Sequence, residues 1–498
     1  MQDIPYDVWL HIASFLGPEE VENLLTLNTM FLSIALDTRY WMAFIGPLYR
    51  RATQRSLNRL TFWNFRDPKI APRVRLLTFR PGHLCMTLQA KEEKRAEGNS
   101  VSRILKRSRI LSYHFRNALG FSRLSMTPDI VKKNLLKIMS SLTSLKSLRI
   151  EIRKEEHAYF NHSSEDFLAA GWTTFKDTLT SLFLRVPLED LTKVLPPAND
   201  TLTSLKMLSF QIPSVPLGTD GMAIVKETLV PFINKHYRTL RALELDVEEQ
   251  NSMSPLLRDV IHLPLLSSFK LKLWFLRQEQ PDIAGLKHFF ETHRHLTALD
   301  ISVTSSYVYY ADPFPFFSRD CFRVSLPKLQ HLVLDLDRFR VDYREGFVPF
   351  IRRFDTLHSL AIVGHMWSFE SLRGLIAPSG GFLNLRSLKI AVYLFTPLVL
   401  TTLEECLPTL ESLCIGFNVI GPEGLSDTLM EGKPQFVNEL DQKAFSSWHL
   451  RTLDFDRPLH SSPTVRQKYK AALVRALPNV RWFCGLSREE YVATSALI

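Results

Sequence analysis

The stretch LPKLQHLVLDLD, Leu326 to Asp337, decides how the rest of the chain is read. Leu332, Leu334 and Leu336 stand on alternate positions, with Asp335 and Asp337 between and after them. Side-chain direction has period two in an extended segment, so this alternation predicts a half-buried strand. A two-turn helix could carry as many leucines, but the phrase recurs. Its first apolar position falls at Val74, Leu145, Leu179, Leu205, Leu240, Leu266, Leu296, Leu329, Leu357, Leu385, Leu410, Leu450 and Val480. After a first gap of 71 residues, neighbours lie 25 to 40 apart, and copies follow helix-like stretches such as Pro128 to Met139, Asp166 to Thr178 and Thr464 to Ala476. That period predicts a solenoid, in which each unit buries its apolar face on the next. Strands stack about 4.8 Å apart while helices are about 10 Å thick, so the expected stack bends with its strands inside.

The copies LKSLRIEI (145 to 152), LKMLSFQI (205 to 212), LRALELDV (240 to 247), LTALDISV (296 to 303) and LRSLKIAV (385 to 392) resemble the leucine-rich repeat. The resemblance covers most of the chain from about residue 70 onward. The family's asparagine after the strand is mostly missing, and unit length varies. The fold class implied is α/β: an irregular leucine-rich repeat solenoid, with parallel strands on the concave face and helices outside, spanning 70–486.

At 498 residues, the chain exceeds the size at which one compact core stops growing. Apolar residues at 45% and charged residues at 22% exclude wholesale disorder. Cys85, Cys321, Cys406, Cys414 and Cys484 are odd in number and lack the close pairs of zinc or redox motifs, which suits a reducing compartment. The start, MQDIPYDVW, lacks a secretion-signal profile, and the longest apolar run, Ile390 to Leu400, is short and broken by Thr396 and Pro397. Cytoplasm or nucleus is the expected location, with no membrane association. The net charge of +10 is uneven: residues 1–49 carry −5 and residues 50–116 carry +13.

Ile4 to Trp41 has the rhythm of three short helices. Val8, Ile12 and Phe15 or Leu16 fall on one face of the first, Gly17-Pro18 stops it, and Val21, Leu24 and Leu27 stripe the second. Some forty residues bury too little surface to stand alone, so this apolar area is expected to meet the next domain or another chain. The stretch resembles an F-box, the module that binds the Skp-family adaptor of cullin-RING ubiquitin ligases. Ile4-Pro5 matches its Leu-Pro, Ile12 and Leu16 its first-helix anchors, Pro18 its turn, Val21, Leu24 and Leu27 its second stripe, and Trp41 its closing tryptophan. The phrases PYDVWLHIASFL and ALDTRYW are similar to F-box proteins of basidiomycete fungi. The resemblance implies an F-box over 1–48, joined by a helical linker over 49–69, with adaptor-binding residues Ile4, Pro5, Val8, Ile12, Leu16, Pro18, Val21, Leu24, Leu27 and Trp41. The other reading of these helices is a cap that closes the solenoid.

Two insertions interrupt the repeats, near 90–120 and 305–320, and a C-terminal tail is expected over 487–498. The first insertion carries Lys106, Arg107, Arg109 and Arg116 on a predicted helix, but no nucleic-acid motif accompanies them. The second, SSYVYYADPFPFF, concentrates Tyr307, Tyr309, Tyr310, Phe314, Phe316 and Phe317 beside two prolines. It reads either as a rigid recognition loop or as a cover for the core edge. On the strands, Glu244, Asp246, Lys270, Lys272, Trp274, Asp300, Asp335, Asp337 and Tyr393 are expected to face outward and, with Tyr307, Tyr309 and Tyr310, to meet a target protein. No glycine-rich phosphate loop, nucleophile elbow or metal-spaced His/Cys set occurs; His293 and His295 read as structural or solvated. The expected function is a non-catalytic substrate receptor, with a Skp-family adaptor, a cullin and a target protein as partners. The alternative is a non-degradative scaffold or inhibitor. No cofactor, metal, nucleic acid or small-molecule substrate is expected.

Overall fold

Every one of the thirteen leucine phrases becomes a strand that begins two residues after its first apolar position, as Leu145 precedes the strand from Ser147. This emerges from a computed structural model that describes residues 5–16, 18–24, 29–45, 70–82, 85, 128–157, 160, 165–197, 199–212, 221–247, 254–275, 282–305, 316–336, 346–377, 382–421, 433–456 and 463–493. Ile4, Leu27, the linker expected over 49–69, the basic insertion at 91–116, Tyr307, Tyr309, Tyr310, Phe314 and Asp337 lie outside the described residues.

The chain forms two compact units, residues 1–248 with 259–265, and residues 249–258 with 266–498. The first holds strands β1 (Met42–Ile45), β2 (Leu76–Phe79), β3 (Ser147–Glu151), β4 (Ser181–Arg185), β5 (Met207–Ile212) and β6 (Ala242–Val247). Each pairs in parallel with the next, so Leu77, Leu148, Leu182, Leu208 and Leu243 form one fully buried ladder. Side chains between them point outward, which is the alternation read from the sequence. Strand order follows chain order, with a helix or turn between neighbours, which is the coil geometry of a leucine-rich repeat.

The second unit repeats the pattern with β7 (Ser268–Phe275), β8 (Ala298–Ser305), β9 (His331–Asp335), β10 (Ser359–Trp367), β11 (Ser387–Phe395), β12 (Ser412–Ile420), β13 (Thr452–Phe455), β14 (Trp482–Phe483) and β15 (Leu486–Ser487). Its apolar ladder runs Phe269, Leu299, Leu332, Leu360, Leu388, Leu413, Leu453 and Phe483. Removing a leucine side chain from such a row costs about 2–5 kcal/mol. The pairing of β10 with β11 slips between Ala361 and Met366, at Gly364 with φ 75°, a bulge that a glycine relieves.

Two expectations are corrected here. Met42–Ile45, assigned by sequence to the end of the helical head, is a strand paired with Leu76–Phe79, so the head passes straight into the sheet. Within the stretch expected as a tail, residues 487–493 belong to the last coil: β15 turns back antiparallel on β14, and a helix Arg488–Ala493 lays Tyr491 on Phe483 at 5.0 Å. The Arg488 guanidinium donates to the carbonyls of Leu477, Pro478 and Val480 at 2.9–3.2 Å, tying the helix to the last coil. Of the two readings of the aromatic insertion, Phe316 and Phe317 follow the core cover: they are buried in a cluster with Phe322 and Phe350. His293 is structural: fully buried, its Nδ1 lies 2.8 Å from the Phe289 carbonyl.

Candidate functional site

The helical head is built from α1 (Tyr6–Ser14), α2 (Pro18–Asn23) and α3 (Thr29–Tyr40). Pro5 precedes α1 with its ring-fixed φ of −56°, and its carbonyl accepts the N–H groups of Val8 and Trp9 at 3.1 and 3.3 Å. Ala13, Val21, Phe31, Ile34 and Ala35 make the head's core, with Trp9, Leu16 and Leu24 packed against it. Trp9 meets Phe31 edge to face, with ring centroids 5.2 Å apart. The head is fastened to the sheet by Arg73, whose Nη1 donates to the Ser33 carbonyl and hydroxyl at 3.1 Å and to Asp37 Oδ1 at 2.5 Å.

This packing changes the reading of α1. Sequence grouped Val8 and Ile12 with either Phe15 or Leu16; the chain buries the Trp9, Ala13 and Leu16 face and turns Val8, Ile12 and Phe15 outward, at 45%, 39% and 76% exposure. At 100° per residue, Val8, Ile12 and Phe15 share one stripe, and Trp9, Ala13 and Leu16 another. Of the residues assigned to the adaptor, Pro5 and Trp41 are exposed, while Leu16 and Leu24 are half-buried. Val21 is corrected: at 4% exposure it belongs to the head's own core. Leu10 and Leu32 are exposed apolar residues that the sequence reading did not single out.

The outward faces of the strands hold the remaining candidates. In the first unit, Glu244 and Asp246 stand on β6, opposite Ser209 and Gln211 of β5. In the second, Lys270 and Asp300 are register partners on β7 and β8 and form an ion pair at 2.9 Å. Lys272 Nζ lies 5.2 Å from the Trp274 ring centroid, and Asp335 follows Ser302 on the next strand. These charges are therefore partly neutralised within the sheet. Tyr393 stands half-buried on β11.

One arrangement had no expectation behind it. Lys389 of β11 reaches over β12 to Asp456 Oδ1 at 3.0 Å, and that bond raises its pKa above the ordinary lysine value. The small side of β12 makes this possible: a Cβ on Gly416 would lie 3.0 Å from Ala391 Cβ and 3.5 Å from Asp456 Cβ. The signal was the glycine inside the phrase LCIGFN, since an interior strand glycine marks a close approach. Burial pushes the Cys414 and Cys484 thiols up, and that of Cys321 to about 12. A cavity of about 430 Å³ lies among Val348, Arg352, Trp367, Glu370 and Gly374. Among the described residues, no group of three or more His, Cys, Asp or Glu could hold a metal ion, and no helix is long and apolar enough to cross a membrane.

No family model matches the chain, and no curated protein matches it. Solved structures that it is similar to include the leucine-rich repeat-containing protein LegL7 from Legionella pneumophila, at 13% identity over 63% of this chain and 85% of that one, with a TM-score of 0.35. The complex of Rad7 and Elc1 in yeast is similar at 15% identity over 75% and 92%, with a TM-score of 0.34. An internalin, inlF, from Listeria monocytogenes is similar at 15% over 71% and 88%, with a TM-score of 0.32.

Proposed function

We propose that the chain is the target-recognition subunit of a Skp–cullin–F-box type ubiquitin ligase. The head docks on a Skp-family adaptor, and through it a cullin, while the strand faces of the repeat units hold a target protein. The observation that carries this reading is that α1 is apolar on two sides and the chain covers one: Trp9, Ala13 and Leu16 complete the head's core, whereas Val8, Ile12 and Phe15 stay open to solvent. An apolar side chain moved from water into an interface contributes about 1.5–3 kcal/mol, so three adjacent ones make a docking stripe. Of the two first-helix anchors of the F-box resemblance in PYDVWLHIASFL, Ile12 lies on this open stripe and Leu16 on the covered one.

The chain's contribution is proximity. It brings the target's lysines near an enzyme held by other subunits, which raises their effective concentration without any bond chemistry of its own. The Lys270–Asp300 pair and the Lys272–Trp274 contact give the strand face a mixed-charge, partly aromatic character suited to a protein surface. Cytoplasm or nucleus is the compartment this reading requires, in keeping with an odd number of cysteines that lack close pairs.

Co-purification of the tagged full chain tests the proposal. Recovery of the adaptor and a cullin, together with a partner whose lifetime lengthens when the chain is deleted, supports a receptor. Recovery of the adaptor with unchanged partner lifetimes supports a non-degradative scaffold. Absence of the adaptor contradicts both.

A further inference from the structure

The strand β1, which joins the head to the sheet, is paired on one side. Met42–Ile45 runs parallel to Leu76–Phe79; the Leu76 N–H donates to the Trp41 carbonyl and the Arg80 N–H to the Ile45 carbonyl, both at 2.9 Å. Pairing on one side of a strand uses alternate residues, so Trp41, Ala43 and Ile45 turn backbone groups to β2, and Met42 and Phe44 turn theirs the other way. No strand among the described residues lies on that side, because β1 ends the sheet. Met42 and Phe44 therefore each offer an N–H and a C=O along an open edge.

Such an edge is a template for another chain, and folded proteins blunt it with a charge, a proline or a bulge. β1 has none of these. Its sequence, MAFI, is apolar throughout, and its register with β2 is unbroken. Ala43 and Ile45 are buried, while Met42 and Phe44 are half-buried on the other face. The last strand of the second unit is treated differently. β15 is two residues long, and the Ser487 N–H donates to Glu490 Oε2 at 2.9 Å. That edge is satisfied by the chain's own side chain.

We propose that β1 pairs antiparallel with β1 of a second copy of the chain, about a two-fold axis through Ala43. In an antiparallel pair, opposed residues that exchange both backbone hydrogen bonds alternate with opposed residues that exchange none. With Ala43 opposite Ala43 of the second copy, Met42 meets Phe44 of the second copy and Phe44 meets its Met42. Every outward N–H and C=O then finds its complement; a register shifted either way leaves Met42 or Phe44 without a strand residue to pair with. The side chains agree with this register. The non-bonded pair brings the backbones closest, with Cα atoms about 4.5 Å apart, and alanine is small enough to sit there. Each bonded pair sets a methionine sulfur beside a phenyl ring, which is a favourable contact. No charge on β1 opposes its copy. An extended segment of an unrelated protein would match the backbone alone. The inference stands apart from the adaptor reading, since the Val8, Ile12 and Phe15 stripe takes no part in it.

The test is sedimentation equilibrium of the purified full chain, with amide hydrogen exchange at low and high protein concentration. The wild type is expected to dimerise reversibly below about 100 µM, with the Met42 and Phe44 amides protected in the dimer and not in the monomer. Phe44→Pro removes an outward N–H that β2 does not use, a change that edge strands tolerate, and is expected to weaken the dimer about tenfold or more. If that variant misfolds, Met42→Lys with Phe44→Lys replaces it: like charges then oppose one another across the axis, and a loss of about tenfold is again expected. Ile12→Asp should leave dimerisation unchanged, which separates this edge from the head's apolar stripe. A wild type that stays monomeric up to about 100 µM, or a dimer that the β1 variants leave intact, would overturn the proposal. So would a dimer lost in Ile12→Asp, or Met42 and Phe44 amides that exchange equally fast in monomer and dimer.

Discussion

His236 Nε2 accepts the backbone N–H of Leu202 at 3.2 Å, while Nδ1–H of the same ring donates to the Phe232 carbonyl at 2.8 Å. Only the neutral ring with its proton on Nδ1 satisfies both contacts, because a protonated Nε2 would point a donor at a donor. Burial lowers the His236 pKa, the Phe232 hydrogen bond opposes that effect, and nearby Lys235 adds to it.

The sign of the pH dependence follows. Below the ordinary histidine value of about 6.5, the unfolded chain takes up a proton that the folded chain refuses, so stability falls as pH falls. The loss ends once the lowered folded-state pKa is passed, and nothing from this residue changes above about pH 7. Urea unfolding of the wild type is expected to give a steeper decline on acidification than that of His236→Gln. His236→Ala leaves the Leu202 N–H without an acceptor and is expected to cost ~1–3 kcal/mol at neutral pH.

Two helical glycines separate packing from propensity. A Cβ on Gly285 would lie 1.9 Å from the Ser254 carbonyl oxygen, and the Gly285 N–H donates to the Ser254 hydroxyl at 2.6 Å. Gly285→Ala therefore forces backbone apart and is expected to destabilise by about 2 kcal/mol or more in chemical unfolding. A Cβ on Gly374 meets nothing within 4 Å. Gly374→Ala is expected to stabilise by ~0.5–1 kcal/mol through helix propensity, and a loss of stability would contradict the packing described here.

The Arg80–Glu156 ion pair is the most deeply buried one described, with both side chains 3% exposed. Glu156 also accepts the Arg153 N–H at 3.3 Å. Removing one partner strands a buried charge, so Glu156→Ala is expected to cost about 3–5 kcal/mol. Arg80→Met with Glu156→Leu should recover most of that, measured as a double-mutant cycle by thermal and urea unfolding.

The strands were legible because the repeat phrase puts its leucine at a fixed offset, two residues ahead of each strand. The exceptions show where that signal ends. Met42–Ile45 has no such leucine ahead of it, and only its pairing with Leu76–Phe79 makes it a strand. On α1, both apolar stripes fit helical periodicity, so the choice between Val8-Ile12-Phe15 and Trp9-Ala13-Leu16 was made by Phe31 of α3, a tertiary contact that period alone cannot reveal. The sequence left Phe316 and Phe317 between a recognition loop and a core cover, and the contacts with Phe322 and Phe350 decide for the core.

The division of labour between head and repeats is tested most directly by titrating purified full-length chain with a Skp-family adaptor, as wild type and as Ile12→Asp. Ile12 is outside the head's core, so the variant should melt within about 0.5 kcal/mol of wild type. The account predicts that the wild type binds and that Ile12→Asp binds at least about tenfold more weakly, since a charge must then be desolvated in the docking stripe. Equal affinity of the two forms, or no binding by the wild type, would contradict it.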